Sequence, residues 1–339
     1  MKSLFLVAAL VFSVNAAHAA EVCTTQSRMK PAERDALAQV ATTLAAKIEA
    51  NDANAVRPLT IAEFQKDFSG MANEIASTAP KVTGAQPQVE ELYLLDASSL
   101  AKTAAGANPD AQFFCSLNQS PASAEFLIPQ LPPGKYAFAM VRMDSVAPWR
   151  ISFLLRQDAV NGQPQWLLAG LYPKQLTAVG HDGLWYWKQA RTLTAGKEFW
   201  NAWFYYQEAQ SLLLPANFIA STNIDKLQTE LSAAVPTAIT GGLSPDTPLV
   251  VKAADGTEFR FTALTVEDYQ GGDKIDVAAH IKVDSVSDNA AARKVNVAAI
   301  SALVAAHPEL RKAFHGVWVF ADAPGQSPYA TELAMNEIK

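Results

Sequence analysis

Apolar residues along this chain recur first at a helical period and later at a period of two. Leu37, Val40, Leu44 and Ile48 repeat at steps of three and four, which predicts a helix over 31–53. Pro31 suits its first turn and Asn51-Asp52 its exit. Thr60 and Glu63 have the spacing of a capping box. They open a second predicted helix with a buried stripe of Phe64, Phe68, Met71 and Ile75, and Pro80 lies beyond its end. The period then shortens. Segments 89–95, 111–117, 124–131, 135–143, 150–156 and 165–171 read as strands, with 98–110 a polar loop or short helix. Pro133-Gly134 and Asn161-Gly162 mark tight turns, so the strands they join are antiparallel neighbours.

The helical period returns at 183–193 and 197–214, two segments separated by Thr194-Ala195-Gly196. In the second, Phe199, Ala202, Tyr206, Ala209 and Leu213 share one face. Asp182 can cap the first segment and Pro215 stops the second. This hairpin holds four of the seven Trp residues: Trp185, Trp187, Trp200 and Trp203. A further helix is expected over 223–234 and a Pro- and Gly-containing linker over 236–248. Beyond it, strands at 249–252 and 258–266 meet at Asp255-Gly256. Ile275, Val277, Ala279, Ile281 and Val283 alternate with Asp276, Ala278, His280 and Lys282, the pattern of a strand with one wet face. A helix carrying Val297, Ile300 and Val304, then strands at 317–321 and 329–338, complete the order β-β-β-α-β-β. The fold class is therefore α+β. Two N-terminal helices and a curved antiparallel sheet occupy 28–175, the aromatic hairpin and its following helix 181–235, and a C-terminal antiparallel α+β domain 249–339.

Composition adds an address. Half the residues are hydrophobic and 18% are charged, which suits sizeable cores in a 339-residue chain of about two domains. The formal charge is −6 and no Lys/Arg cluster occurs, so the electrostatic footprint of a nucleic-acid partner is missing. Residues 1–19 read as a secretory signal: Lys2, an apolar run from Leu4 to Val14, and Ala17-His18-Ala19 at the cleavage site. The mature chain would start at Ala20 in the periplasm or outside the cell, with no later membrane-spanning run. Cys23 and Cys115 would both survive cleavage. An oxidising compartment permits a bridge between them, but spacing alone leaves two separate thiols equally open.

Three stretches carry family resemblances. Trp149-Arg150-Ile151-Ser152-Phe153, then Asn161-Gly162, then the strand from Trp166 to Tyr172 follow two helices. This arrangement, over about residues 30–175, resembles the nuclear-transport-factor-two-like (cystatin-like) cone fold. The resemblance implies a cavity and includes both enzymes and binding modules, so it fixes no activity. Leu131-Pro132-Pro133-Gly134-Lys135-Tyr136 is similar to a turn of carboxypeptidase-regulatory-like β-sandwiches, a family that leaves the two leading helices unexplained. In the hairpin, Tyr186, Ala190, Leu193, Ala202, Tyr206 and Ala209 match the packing positions of one tetratricopeptide unit, with Pro215 one residue later than the family's closing proline. No second copy is present, and such arrays need about three repeats to stand alone. The hairpin must therefore pack on another part of the chain.

Motifs that name a reaction or a resident cofactor are lacking: no phosphate loop, dinucleotide fingerprint, HExxH helix, nucleophile elbow, calcium loop or thiolate zinc set. His181 with Asp182 is the candidate catalytic pair, a general base with an acid to orient it. The competing reading makes Asp182 a helix cap and His181 a loop residue. Trp185, Trp187, Trp200 and Trp203 are candidates to line a groove, or else packing between helices and sheet. Arg142 and Arg150 would favour a polar or anionic ligand if their sheet face lines a cavity. The sequence thus points to an exported, non-enzymatic protein that binds an envelope protein or a small ligand. A small-molecule hydrolase or isomerase using His181 is the alternative, and a purely structural envelope protein the third class.

Overall fold

The computed structural model describes residues 22–117, 121–268 and 272–339, and the expected signal segment lies outside them. The strand Val22–Thr25 (β1) precedes the helices Pro31–Glu49 (α1), Ala53–Val56 (α2), Ala62–Lys66 (α3) and Ser69–Val82 (α4). Strands Gln86–Asp96 (β2), Ala111–Ser116 (β3), Ser123–Ile128 (β4), Lys135–Asp144 (β5), Trp149–Val160 (β6) and Gln163–Gln175 (β7) follow. Two short strands, Thr177–Ala178 (β8) and His181–Asp182 (β9), lead into the hairpin helices Gly183–Ala195 (α5) and Phe199–Leu213 (α6). Next come Ile219–Ser221 (β10) and Thr222–Ala233 (α7). The C-terminal part holds Leu249–Lys252 (β11), Glu258–Glu267 (β12), Asp276–Lys282 (β13), Asn289–Ala306 (α8), Leu310–Ala313 (α9), Gly316–Asp322 (β14) and Tyr329–Ala334 (β15). The class is α+β. Among the described residues no helix is long and apolar enough to cross a membrane.

The N-terminal sheet has the order β1-β2-β5-β6-β7, antiparallel throughout. Asn161 and Gly162 turn β6 into β7 with φ of 52° and 77°, the left-handed region that the primed hairpin turn needs. The central strand β5 is apolar on both sides. Ala137, Ala139, Val141 and Met143 face Leu37, Ala41, Leu44 and Ile48 of α1 and Ile75 and Val82 of α4. Tyr136 and Phe138 face the opposite way, onto Phe113, Cys115 and Phe126 of a second sheet ordered β10-β4-β3. Helices, sheet and small sheet thus form three layers. Cys23 of β1 and Cys115 of β3 are joined by a disulfide with Cα atoms 5.3 Å apart, which ties the two sheets together at one edge.

The second predicted helix departs from expectation. Thr60 makes no capping box; it is fully buried, bridges Leu168 of β7, and its hydroxyl donates to the Arg57 carbonyl. Glu63 pairs with Arg156 across the sheet edge instead. The helix breaks at Asp67, whose carboxylate accepts from the Ser69 hydroxyl and amide. Pro80 lies inside α4, not beyond it, on an exposed last-turn position where one missing backbone donor disturbs little.

The hairpin packs against other parts of the chain. Tyr186, Trp187, Ala190, Phe204, Tyr206 and Ala209 join one apolar cluster that runs through Leu227 of α7 and Ile239 into the C-terminal sheet and α8. Gly183 permits the close approach of α5 to α6, since a Cβ there would lie 2.6 Å from Leu213 Cγ and 3.1 Å from the Ala209 carbonyl. Phe199, placed by periodicity on the buried face, is 45% exposed at the start of α6. The C-terminal sheet is ordered β11-β12-β13-β14-β15. Its pairs are antiparallel except β13 with β14, because α8 carries the chain over between them. The face of β13 read as wet is closed at one end, where Asp276 and Ala278 are buried.

Burial on α6 includes one carboxyl. Glu208 is only 5% exposed, and its Oε1 has no hydrogen-bond partner among the described residues. Burial first, then the nearby Asp268 and Glu267 carboxylates, push its pKa up to about 7.

Two predictions follow from this packing. Closing a loop between residues 92 apart stabilises the chain by roughly 3–5 kcal/mol in the chain-entropy account. Replacing Cys23 and Cys115 together by Ser is expected to cost that amount in urea unfolding, and alkylation of two thiols in the unreduced native protein would contradict the bridge. For Glu208 the folded pKa lies above the unfolded value of 4.5. Its stability contribution is therefore complete below pH 4.5, declines as pH rises, and levels off above about 7. The decline amounts to about 3 kcal/mol. Glu208→Gln should flatten that part of the stability–pH curve and leave the mutant more stable than the parent at pH 8.5.

Candidate functional site

On the face of the N-terminal sheet turned away from α1, side chains alternate as the pleat requires. Phe138, Met140 and Arg142 follow one another along β5, and Arg150 stands directly opposite Arg142 on β6. Lys174 of β7 pairs in turn with Arg150. Residues directly opposite share a face, so Arg142, Arg150 and Lys174 form a basic row across three strands. A bulge in β2 between Val89 and Glu91 leaves Glu90 as the extra residue. Glu90 reaches the row: its carboxylate accepts from Arg150 Nε at 2.8 Å and lies 3.9 Å from Arg142 Nη1. Arg142 Nε also donates to Asp144. Arg150 is only 18% exposed, and among the described residues its two Nη atoms have no hydrogen-bond partner.

Beside Arg150 lies a cavity of about 380 Å³. It forms where the small sheet stops covering the large one and the hairpin begins. Phe126, Phe138 and Met140 supply the sheet wall, and Trp187 and Leu213 the helical wall. Leu184 of α5, half exposed, stands at the rim. The volume and apolar lining suit a small ligand, and among the described residues Arg150 is the one cationic side chain in the wall. Trp187 is fixed in place. Its indole N–H donates to Glu230 of α7 at 2.7 Å, Arg191 lies 4.5 Å over its ring, and Arg191 makes a two-point pair with the same carboxylate. Those hydrogen bonds, Arg191 foremost, hold the Glu230 carboxyl below its ordinary pKa.

The sequence candidates divide between this cavity and other places. Arg150 and Trp187 line it, and Arg142 joins through Glu90. Trp185 stacks flat on His181 with centroids 3.7 Å apart, away from the cavity wall. Trp200 is buried against Trp203, Phe204 and His307, and Trp203 packs on the same cluster, so both serve the joint between hairpin and C-terminal part. Asp182 caps α5, accepting from the Trp185 amide at 2.8 Å, and does not orient the His181 ring. Among the described residues that ring has stacking partners and no hydrogen bond. Periodicity missed Glu90 and Lys174. The doubled polar pair Glu90-Glu91 inside an apolar strand was the available sign of the bulge; Lys174 needed the register.

Comparison of the chain with protein-family models, with curated proteins and with solved structures gave no match. The geometry of the cavity therefore stands as the guide to function.

One consequence concerns Glu90. It holds two guanidinium groups on one sheet face, so Glu90→Ala leaves them to repel each other. The mutant should lose about 1 kcal/mol at low salt, and sulfate should restore more stability to it than to the parent. Equal sulfate responses in thermal melts would show that Glu90 does not govern the row.

Proposed function

We propose that this protein is an exported, non-enzymatic binding protein that takes a small amphipathic anion into the cavity between its N-terminal sheet and its aromatic hairpin. The carrying observation is the half-engaged Arg150, which lines the cavity: its Nε is held by Glu90, while its Nη atoms have no partner among the described residues. A charged donor set that is oriented but unsatisfied suits a carboxylate, sulfonate or phosphate, and charge-assisted bonds of this type are the strong ones. The lining of Phe126, Phe138, Met140 and Trp187 suits an acyl or aromatic body. Arg142 and Lys174 add positive charge on the same face of an otherwise acidic chain. Export is supported by the signal-like first 19 residues and by the Cys23–Cys115 bridge, which belongs to an oxidising compartment. In this reading the cone-fold resemblance supplies the curved sheet, and the tetratricopeptide-like unit serves as one wall of a pocket.

The test uses dodecanoate and dodecanol as paired probes, read by fluorescence of Trp187 in the cavity wall. Dodecanoate is expected to bind more tightly than dodecanol, and Arg150→Gln to remove about tenfold of that preference, the equivalent of 1.4 kcal/mol. Leu184→Trp at the rim should weaken both. If neither probe bound, or if Arg150→Gln left the preference intact, the assignment of the cavity would be wrong.

A further inference from the structure

A second cluster lies in the C-terminal sheet. Asp276 begins β13, His315 immediately precedes β14, and Glu332 is in β15 opposite Trp318. Among the described residues this is the one group of three His, Cys, Asp or Glu whose ligand atoms gather closely, all within 4.8 Å of one another. His315 Nδ1 lies 3.0 Å from Asp276 Oδ1 and 3.8 Å from Glu332 Oε1.

We propose that Asp276, His315 and Glu332 form a binding site for one divalent transition-metal ion. An ion bound at about 2.0–2.2 Å by nitrogen and oxygen ligands in a tetrahedron spaces those ligands roughly 3.2–3.6 Å apart. The separations at His315 bracket that range, so small side-chain rotations suffice. The set mixes imidazole and carboxylate, which suits zinc and its neighbours better than calcium or magnesium. Three protein ligands leave a fourth position for water or another group.

The surroundings are built to hold these ligands. Asp276 is fully buried, and its second oxygen accepts from the Trp318 indole N–H at 3.1 Å, the kind of outer contact that orients a metal-binding carboxylate. The His315 backbone is held on both sides: its amide donates to the Ile275 carbonyl and its carbonyl accepts from the Met335 amide. Gly316 keeps the space open, since a Cβ there would stand 3.2 Å from Asp276 Oδ1 and 2.7 Å from the Leu333 carbonyl. The charge balance points the same way. Two carboxylates share one imidazole, and among the described residues neither has a Lys or Arg within ion-pair distance. His280 and Asp322 pair elsewhere on the same face and supply an internal control.

The experiment titrates metal-stripped protein, from Ala20 onward, with Zn²⁺ in a calorimeter. One Zn²⁺ per chain is expected, with His315→Ala and Glu332→Gln each weakening binding at least ~10-fold and His280→Ala leaving it unchanged. Co²⁺ should give the visible absorption of a four-coordinate site in the parent protein. Absence of stoichiometric Zn²⁺ binding would overturn the proposal, as would unchanged binding in His315→Ala and Glu332→Gln. If those variants fail to fold, the His315 ring resonances of the parent decide: movement on adding Zn²⁺ supports the site, and no movement overturns it. The readout is independent of the sheet–hairpin cavity and of any ligand there.

Discussion

A sheet strand that is apolar on both faces has to be covered twice, and most of this architecture follows from that demand on β5. One face, through Ala137, Ala139, Val141 and Met143, is met by α1 and α4. The other, through Tyr136 and Phe138, is met by the small sheet of β3, β4 and β10. Burying a side chain the size of Val141, Met143 or Phe138 is worth about 1.5–3 kcal/mol relative to exposure, so neither cover is dispensable. The second cover is shorter than the strand it serves. Where it ends, at Met140 and Arg150, the hairpin closes over the remaining sheet without filling the space. The cavity is thus a product of unequal layer lengths, and its polarity is set by what β5 and β6 carry beyond their apolar stretch.

The hairpin has two obligations. Its α5 side presents Trp187 to the cavity, while α6 is buried along most of its length against α5, α7, β12 and α9. A helix so enclosed has no wet side on which to place polar residues. Asn201 offsets part of the cost, its amide nitrogen donating to Glu198 and to the Glu309 carbonyl while its Oδ1 has no partner among the described residues. Glu208 does not, and its raised pKa is the result. Rigid placement of Trp187 depends on the Glu230–Arg191 pair, which links α7 to α5. The wall of the cavity is therefore fixed by contacts made outside it.

Periodicity made the elements legible, and it failed where long-range pairing decided. The hairpin could be read because Tyr186, Ala190, Ala202, Tyr206 and Ala209 carry the spacing of two packed helices and Gly183 permits their approach. Arg142 and Arg150 could be singled out as sheet residues, but not as neighbours, since their adjacency is a matter of register between β5 and β6. Glu90 was hidden for the same reason: a bulge changes which face a residue occupies without changing composition. Thr60 and Glu63 mimic a capping box by spacing alone, yet Glu63 finds a stronger partner in Arg156, 93 positions away. Asp182 can be read from sequence as cap or as catalytic orienter, and in the structure its carboxylate caps α5, whose first turn leaves amides in need of an acceptor.

Charge separates the two sites more sharply than sequence distance does. The row of Arg142, Arg150 and Lys174 is basic, borders an apolar space and is partly neutralised by Glu90. The cluster of Asp276, His315 and Glu332 is acidic and is anchored by a carboxylate with no exposure at all. An anion drawn to the first would be repelled at the second, and a cation attracted to the second would be repelled by the basic row at the first. The two clusters lie on different sheets, so each sets its own local field. The hairpin is then more than a filler: as the shared wall of both cores, it keeps two opposite electrostatic environments within one folded chain.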